Sequence, residues 1–436
     1  MDGQTVSASK FRFNVSSRAS RSVMGFVMVF ALTLLTTHPM RAQTFSVLHY
    51  FTDGEDGANP YAGLTISPGG ALYGTASQGG TYGDESGGTV FKLTPEGSSW
   101  VLSPLYSFLA GSEPDGGVVI GLNGALYGTT SAPDGPGHGT VFELTPPPTF
   151  CRAILCYWNE TVLYRFTGTP DGSNPYGNLA FDRVGDIYGT TNEGGMYRGG
   201  TTFELTPSGG GYTESIIHSF GSGSDGYFPY ADVVLDTAGN LYGTTQGGGT
   251  GEVGTVYQLM PSNGGWVENV LVNFDVTDGS YPVGNLIIDA SGNLYGTTEE
   301  GGPNGGGVVF KLAPSDGGWT YSLLYSFSSC YLYGALTIDT AGNLYGTCAF
   351  GGNTGGACGI DGCGSVFELT DCTQTCVAND LHDFSGSDGM YPYGSPVLDA
   401  NGNLYGTTEY GGTGDCLDEG CGVVWEIAGV GAPRKN

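Results

Sequence analysis

Six aspartates, each followed by glycine, are the side chains of this sequence best suited to hold a ligand: Asp56, Asp115, Asp171, Asp225, Asp278 and Asp388. Four tyrosines stand shortly after members of the series: Tyr61, Tyr176, Tyr230 and Tyr393. Carboxylates offer hard oxygen donors for a divalent cation such as Ca2+. Tyrosine offers a flat apolar face with a polar tip, on which a sugar ring can stack. Further carboxylates, Glu193, Glu299, Glu300 and Glu409, lie in glycine-rich loops. The competing reading is turn chemistry copied by duplication: Asp bonds its own backbone and the next Gly takes a left-handed conformation. Asp182, Asp236, Asp289, Asp339 and Asp399, each at the head of a tight turn, read as structural on the same grounds.

Other chemistry is sparse. His49, His218 and His382 stand two residues before a closing Phe, where other segments carry Tyr106, Tyr164 and Tyr325. A histidine that exchanges with tyrosine reads as a packing residue. His138 lies alone in a loop. The run Asp53-Gly54-Glu55-Asp56-Gly57 lacks the full ligand set of a calcium loop. No nucleophile elbow, zinc-protease helix or phosphate loop is present. Two classes of function remain. One is a non-catalytic binding or scaffold protein for a glycan or another extracellular polymer, suggested by evenly repeated polar groups. The other is a carbohydrate-active hydrolase or lyase with two facing carboxylates at a channel mouth, about 5–10 Å apart.

The elements that position these residues come from a repeat. Leu-Tyr-Gly-Thr or a close variant occurs seven times, centred on Tyr73, Tyr127, Tyr188, Tyr242, Tyr295, Tyr345 and Tyr405. Such self-similarity means a repeat architecture. The fifth copy shows the unit: apolar runs at Gly284–Asp289, Leu294–Thr298, Val308–Leu312 and Trp319–Phe327, joined by turn-forming or glycine-rich segments. Four short strands joined by hairpins make one antiparallel sheet. Seven of them predict an all-β fold, a seven-bladed β-propeller. Thr44–Phe51 resembles a fourth strand, and Val423–Ala428 reads as a third strand with no fourth after it. The two should pair and close the ring, removing its open edges. In such a ring, the loops around Asp56, Asp171, Asp225, Asp278 and Asp388 are expected to converge on the channel mouth, with the tyrosines nearby. A cation or basic ligand there would relieve the repulsion between carboxylates.

Composition sets the outer bounds. The chain has 436 residues with 80 Gly and 22 Pro, but the glycines recur at fixed offsets between apolar runs, as turns do. Lys10, Arg12, Arg18 and Arg21, the apolar run Val23–Leu35 and Arg41-Ala42-Gln43 read as a secretory signal peptide over residues 1–42. Residues 43–430 then form the propeller and 431–436 a short tail. Without the leader, 8 Lys and Arg face 41 Asp and Glu, a formal net charge of −33. That surface repels nucleic acid and anionic lipid. The expectation is a monomer, extracellular or periplasmic. Ten cysteines fall after the leader. In a secreted chain they predict disulfides: Cys151–Cys156, Cys358–Cys363, Cys372–Cys376, Cys416–Cys421 and, across one hairpin, Cys330–Cys348.

The pattern Gly-Asn-Leu-Tyr-Gly-Thr-Thr, then Gly-Gly, Gly-Thr-Val-Phe-Lys/Glu-Leu-Thr-Pro, Leu-Tyr-Ser-Phe and Asp-Gly-x-x-Pro-Tyr resembles the GloVer tandem repeat of secreted bacterial proteins, the choice-of-anchor repeat proteins. The resemblance covers residues 44–430. It implies a bacterial, exported repeat protein and brings no catalytic residues with it. The family's members carry differing C-terminal sorting signals. Here Ile427 is followed by no apolar stretch, and release from the cell is the expectation.

Overall fold

The computed structural model describes residues 43–431, apart from 132–136, 149–157, 222–223, 373–374, 415 and 417–418. Its strands form seven four-stranded antiparallel sheets, six of them ordered first to fourth along the chain. The molecule is a seven-bladed β-propeller. Blade 7 is built from Val397–Leu398, Leu404–Thr408 and Val423–Ala428, with Thr44–Tyr50 as its outer strand. Thr44 pairs with Ala428 and Tyr50 with Val423, so the predicted closure is present.

Each residue of Leu-Tyr-Gly-Thr has its own task. The leucine is core: Leu72, Leu126, Leu241, Leu294, Leu344 and Leu404 are buried between blades. The tyrosine reaches the third strand or the preceding turn. Tyr188 donates to Glu204 (2.9 Å) and Tyr345 to Glu368 (2.9 Å). The glycine lies against an aromatic side chain of the third strand. A Cβ on Gly296 would come within 2.5 Å of Phe310 Cζ, and one on Gly406 within 2.3 Å of Trp425. The threonine ties neighbouring blades. Its hydroxyl donates to a carbonyl just ahead of the next blade's first strand: Thr75 to Gly116 (2.9 Å), Thr129 to Gly177 (3.1 Å), Thr190 to Ala231 (2.8 Å). Thr297 reaches Gly334, Thr347 reaches Gly394, and Thr407 reaches Ala62 (2.8 Å), which carries the chain of bonds across the closure.

Strand lengths differ from the sequence expectation in one respect. The first strand of each blade is only two residues, Ile287–Ile288 in blade 5, while the third and fourth extend to Val308–Ser315 and Gly318–Ser326. The inner strands crowd around the axis, and the outer hairpins have room to continue.

Four of the five expected disulfides are present: Cys330–Cys348, Cys358–Cys363, Cys372–Cys376 and Cys416–Cys421, with Cα separations of 4.2–5.0 Å. Cys151 and Cys156 lie outside the described residues, as do the expected leader 1–42 and the last five residues of the tail. Such cross-links suit an oxidising compartment outside the cytoplasm. Among the described residues, no helix is long and apolar enough to cross a membrane.

Candidate functional site

A cavity of about 530 Å³ opens on the propeller axis and takes its lining from all seven blades. Its main ring is one repeat position, the residue twelve before each Leu-Tyr-Gly-Thr tyrosine: Tyr61, Asp115, Tyr176, Tyr230, Val283, Tyr333 and Tyr393. Most follow the rule that the threonine of the preceding blade pins the adjoining backbone. Thr129 holds Gly177 beside Tyr176, and Thr407 holds Ala62 beside Tyr61. The tyrosines also support one another. Tyr61 stacks on Tyr393 (centroids 5.0 Å), Tyr176 stacks on Tyr230 (5.4 Å), and Tyr333 meets Tyr393 edge-on (5.0 Å).

A second ring lies two residues further along: Gly63, Gly117, Asn178, Asp232, Asn285, Ala335 and Ser395. Asp232 is clasped there by its neighbours. The backbone N–H of Asn178 donates to Oδ1, and the side-chain amides of Asn178 (2.8 Å) and Asn285 (2.6 Å) donate to Oδ2. Desolvation pushes Asp232 up to about 6, against the hydrogen bonds from Asn178 that lower it. Gln246, Glu299 and Glu409, at the ends of second strands, complete the wall together with Glu113.

The carboxylates are held in an acidic, partly desolvated space. No Lys or Arg lines the cavity among the described residues. Burial pushes Asp115 up to about 6; Ser131, which donates to it at 2.5 Å, lowers it and Glu113 raises it. Burial likewise pushes Glu409 up to about 7, with Asp115 and Glu419 adding repulsion. Glu299 is raised by burial and accepts a 2.5 Å hydrogen bond from Tyr333. Desolvation and the nearby carboxylates hold the hydroxyls of Tyr61, Tyr176, Tyr333 and Tyr393 neutral, well above the usual tyrosine range. The arrangement offers aromatic faces, neutral hydroxyl donors and carboxylate acceptors.

The loop aspartates do not converge on the axis as the sequence suggests. Asp115 lines the cavity; Asp56, Asp171, Asp225, Asp278 and Asp388 are not among its lining residues. Four of these five serve their own turns. Asp56 accepts from the Thr52 amide (3.1 Å) and hydroxyl (2.6 Å), and Asp171 from the Thr167 amide (3.1 Å) and hydroxyl (2.9 Å). Asp278 accepts from the Asp275 amide and Asp388 from the Ser385 amide (both 2.8 Å). The His/Tyr position of the preceding strand holds most of them from outside. His49 meets Asp56 at 2.9 Å, Tyr164 meets Asp171 at 2.8 Å, His218 meets Asp225 at 3.1 Å and His382 meets Asp388 at 3.0 Å. Burial alone would raise Asp56 and Asp388, but these bonds hold both below the usual carboxylate range. His49, Tyr164, His218 and His382 are thus hydrogen-bonding anchors for the loop aspartates.

The other aspartate series is structural. Asp289 accepts from the Ser291 amide (2.8 Å), the Asn293 amide (2.9 Å) and the Tyr295 hydroxyl (3.1 Å), and Asp236 repeats the pattern.

Val283, Tyr333 and the Asn178–Asp232–Asn285 clasp are cavity residues that pattern reading did not single out. The signal was the constant offset from Leu-Tyr-Gly-Thr. By that offset Asp115 belongs to the tyrosine ring, not to the Asp-Gly turns, and Gly116 lacks the left-handed conformation that Gly57, Gly172, Gly226, Gly279 and Gly389 share.

Comparison with solved structures agrees with the fold. The extracellular domain of a hybrid two-component system from B. thetaiotaomicron aligns with TM-score 0.52 at 12% identity, over 88% of this chain and 39% of that one. The chain therefore spans about two fifths of that protein's length. A Bacteroides uniformis protein described as a 6-phosphogluconolactonase aligns with TM-score 0.48 at 15% identity, covering 79% and 88% of the two chains. A gluconolactonase from Xanthomonas campestris aligns with TM-score 0.39 at 15% identity, covering 70% and 82%. At such identities the first likeness speaks for the fold alone, and the other two carry no further weight. No curated protein matches the sequence. The model of the Gloeobacter/Verrucomicrobia repeat matches residues 28–161 and 157–360. With seven copies of the motif forming seven blades, the chain belongs to the Gloeobacter/Verrucomicrobia repeat family.

Proposed function

We propose that this protein is a secreted, non-catalytic binding propeller that takes sugar residues of an extracellular glycan into its axial cavity. The observation that carries this reading is the ring of five tyrosines, Tyr61, Tyr176, Tyr230, Tyr333 and Tyr393, around an opening of about 530 Å³. Aromatic faces stack on the apolar face of a pyranose, while hydroxyls and carboxylates meet its rim of hydroxyl groups. The acidic lining, with no Lys or Arg among its described residues, favours neutral or amine-bearing sugars and disfavours uronic acids. The test is a glycan array together with a polysaccharide hydrolysis screen, using the mature protein. The expected result is binding of neutral or amino glycans without cleavage. Tyr61→Ala or Tyr393→Ala should weaken it about 3–10-fold, the equivalent of one aromatic contact. An array with no bound glycan would overturn the proposal.

A second reading has one specific observation in its favour. Asp115 and Glu409 face the same cavity with carboxyls pushed up to about 6 and about 7. Glu409 is about half protonated near neutral pH, as a general acid requires, and Asp115 stays mostly ionised beside it. Hydrolysis that Asp115→Asn and Glu409→Gln remove while binding persists would make the protein a carbohydrate-active hydrolase.

A further inference from the structure

Away from the axis, one junction between blades differs from its counterparts. His218 closes the outer strand of blade 3, Asp225 lies in the loop that follows, and Glu268 stands on the outer strand of blade 4. One donor atom from each lies within 4.8 Å of the others. His218 Nε2 is 3.1 Å from Asp225 Oδ2 and 3.9 Å from Glu268 Oε2. These spacings bracket the roughly 3.3–3.4 Å that separates donors around a tetrahedral ion with bonds of about 2.0–2.1 Å.

The same two carboxylates each keep a second, unpartnered oxygen among the described residues. Asp225 is only 6% exposed, and its Oδ1 has no hydrogen-bond partner among the described residues. Glu268 Oε1 is likewise buried and unpartnered. Such groups are costly unless something satisfies them. The cause is local. Asp56 and Asp171 are satisfied by Thr52 and Thr167, four residues earlier. The matching position before Asp225 is Gly221, which has no hydroxyl and gives its amide to Gly226 O (2.9 Å).

The repeat supplies its own controls. At the junction of blades 1 and 2 a tyrosine replaces the histidine, and Tyr106 donates directly to Glu160 at 2.8 Å. At that of blades 2 and 3, Tyr164 bonds Asp171, and Glu214 keeps a free oxygen but faces no ring nitrogen. Beside His49 the glutamate position is Leu102, and beside His382 it is Phe45, stacked on the ring at 3.6 Å. Among the described residues, this is the one junction where a histidine and two carboxylates meet.

We propose that His218, Asp225 and Glu268 bind one divalent transition-metal ion of the zinc class, clamping blade 3 to blade 4. An imidazole nitrogen with two carboxylate oxygens suits zinc better than calcium, which takes six to eight oxygens. Side-chain exposures of 21% for His218 and 17% for Glu268 leave a path for the ion and a place for a water as fourth ligand.

The test is zinc titration of the mature protein by calorimetry, in excess calcium so that oxygen-only sites are masked. Cobalt substitution, read as a visible absorption band, is the second readout. The wild type should bind one zinc per chain and melt at a higher temperature with zinc than with chelator. Glu268→Gln and His218→Tyr should each weaken zinc binding at least about 10-fold and abolish the zinc-dependent rise in melting temperature. His218→Tyr copies the residue native at Tyr164, so its circular dichroism should match the wild type. Absence of stoichiometric zinc binding in the wild type, or equal binding by both folded variants, would overturn the proposal.

Discussion

Single residues in this propeller act twice, once for the fold and once for the site. The threonine of Leu-Tyr-Gly-Thr is the clearest case. Thr407 bonds the Ala62 carbonyl at 2.8 Å, and Ala62 adjoins Tyr61 at the cavity rim. Thr407→Val keeps the shape and removes the hydroxyl, leaving a carbonyl without its partner. The expected cost is about 1–3 kcal/mol, measured by denaturant unfolding. The same change should weaken any ligand that stacks on Tyr61, since the loop carrying it loses its tether. An unchanged stability would mean that the bond is replaced by water. Thr244, whose hydroxyl has no partner among the described residues, is the natural control: Thr244→Val should cost far less.

At the scale of elements, the closing strand decides whether the ring exists. Thr44–Tyr50 supplies the fourth strand of blade 7 and pairs with Val423–Ala428 from end to end, with one bulge between Val47 and His49. Phe45 packs on His382 and Phe384 of blade 6, so the strand also covers an inter-blade core. Deleting residues 43–52 should expose a long apolar edge, the arrangement that pairs with other chains. The expected outcome is oligomers on size-exclusion chromatography and loss of a single cooperative melt. A monomer that melts at the wild-type temperature would show that the ring closes without this strand. The disulfides act more locally. Cys330–Cys348 closes the largest of the described loops, with a sequence separation of 18 against 4 or 5 for the others. It staples the entry of blade 6 to the end of its second strand.

For the whole molecule, the dominant question is how so acidic a chain responds to pH. Asp115 and Glu409 have folded values of about 6 and about 7, raised from 3.8 and 4.5. A raised carboxyl binds its proton more tightly in the folded state. Its stabilising contribution is therefore full below about 4 and is lost as the pH rises through the folded value. The groups that face this pair are Glu113, Ser131, Tyr61, Tyr176, Tyr393, Tyr410 and Glu419. The double variant Asp115→Asn/Glu409→Gln has no titrating group at these two positions. It should melt close to the wild type at pH 4 and above it at pH 8, with the gap opening between about pH 5 and pH 8. Parallel melting profiles would mean that solvent screens both groups. The depressed aspartates, Asp56, Asp236, Asp289 and Asp388, work in the opposite sense: their stabilisation is lost only as the pH falls through values below 3.8.

The sequence by itself determined the repeat number, the four strands of each blade, the strand that closes the ring and the partners of four described disulfides. Those features follow from periodicity along the chain, and hairpins turn short sequence separations directly into contacts. It also carried the tyrosines of the axial ring, through their constant offset from Leu-Tyr-Gly-Thr. What it could not carry is the direction in which a loop side chain points. Asp56 and Asp115 share the same Asp-Gly signature, yet one is drawn outward by His49 and Thr52 while the other faces the axis. Asp232, Asn178 and Asn285 come from three different blades, separated by 53 and 54 residues. Only closure of the ring brings them together, because neighbouring blades meet at the axis across distances that no local pattern records. The meeting of His218, Asp225 and Glu268 was decided in the same way, by the packing of one blade's outer strand against the next.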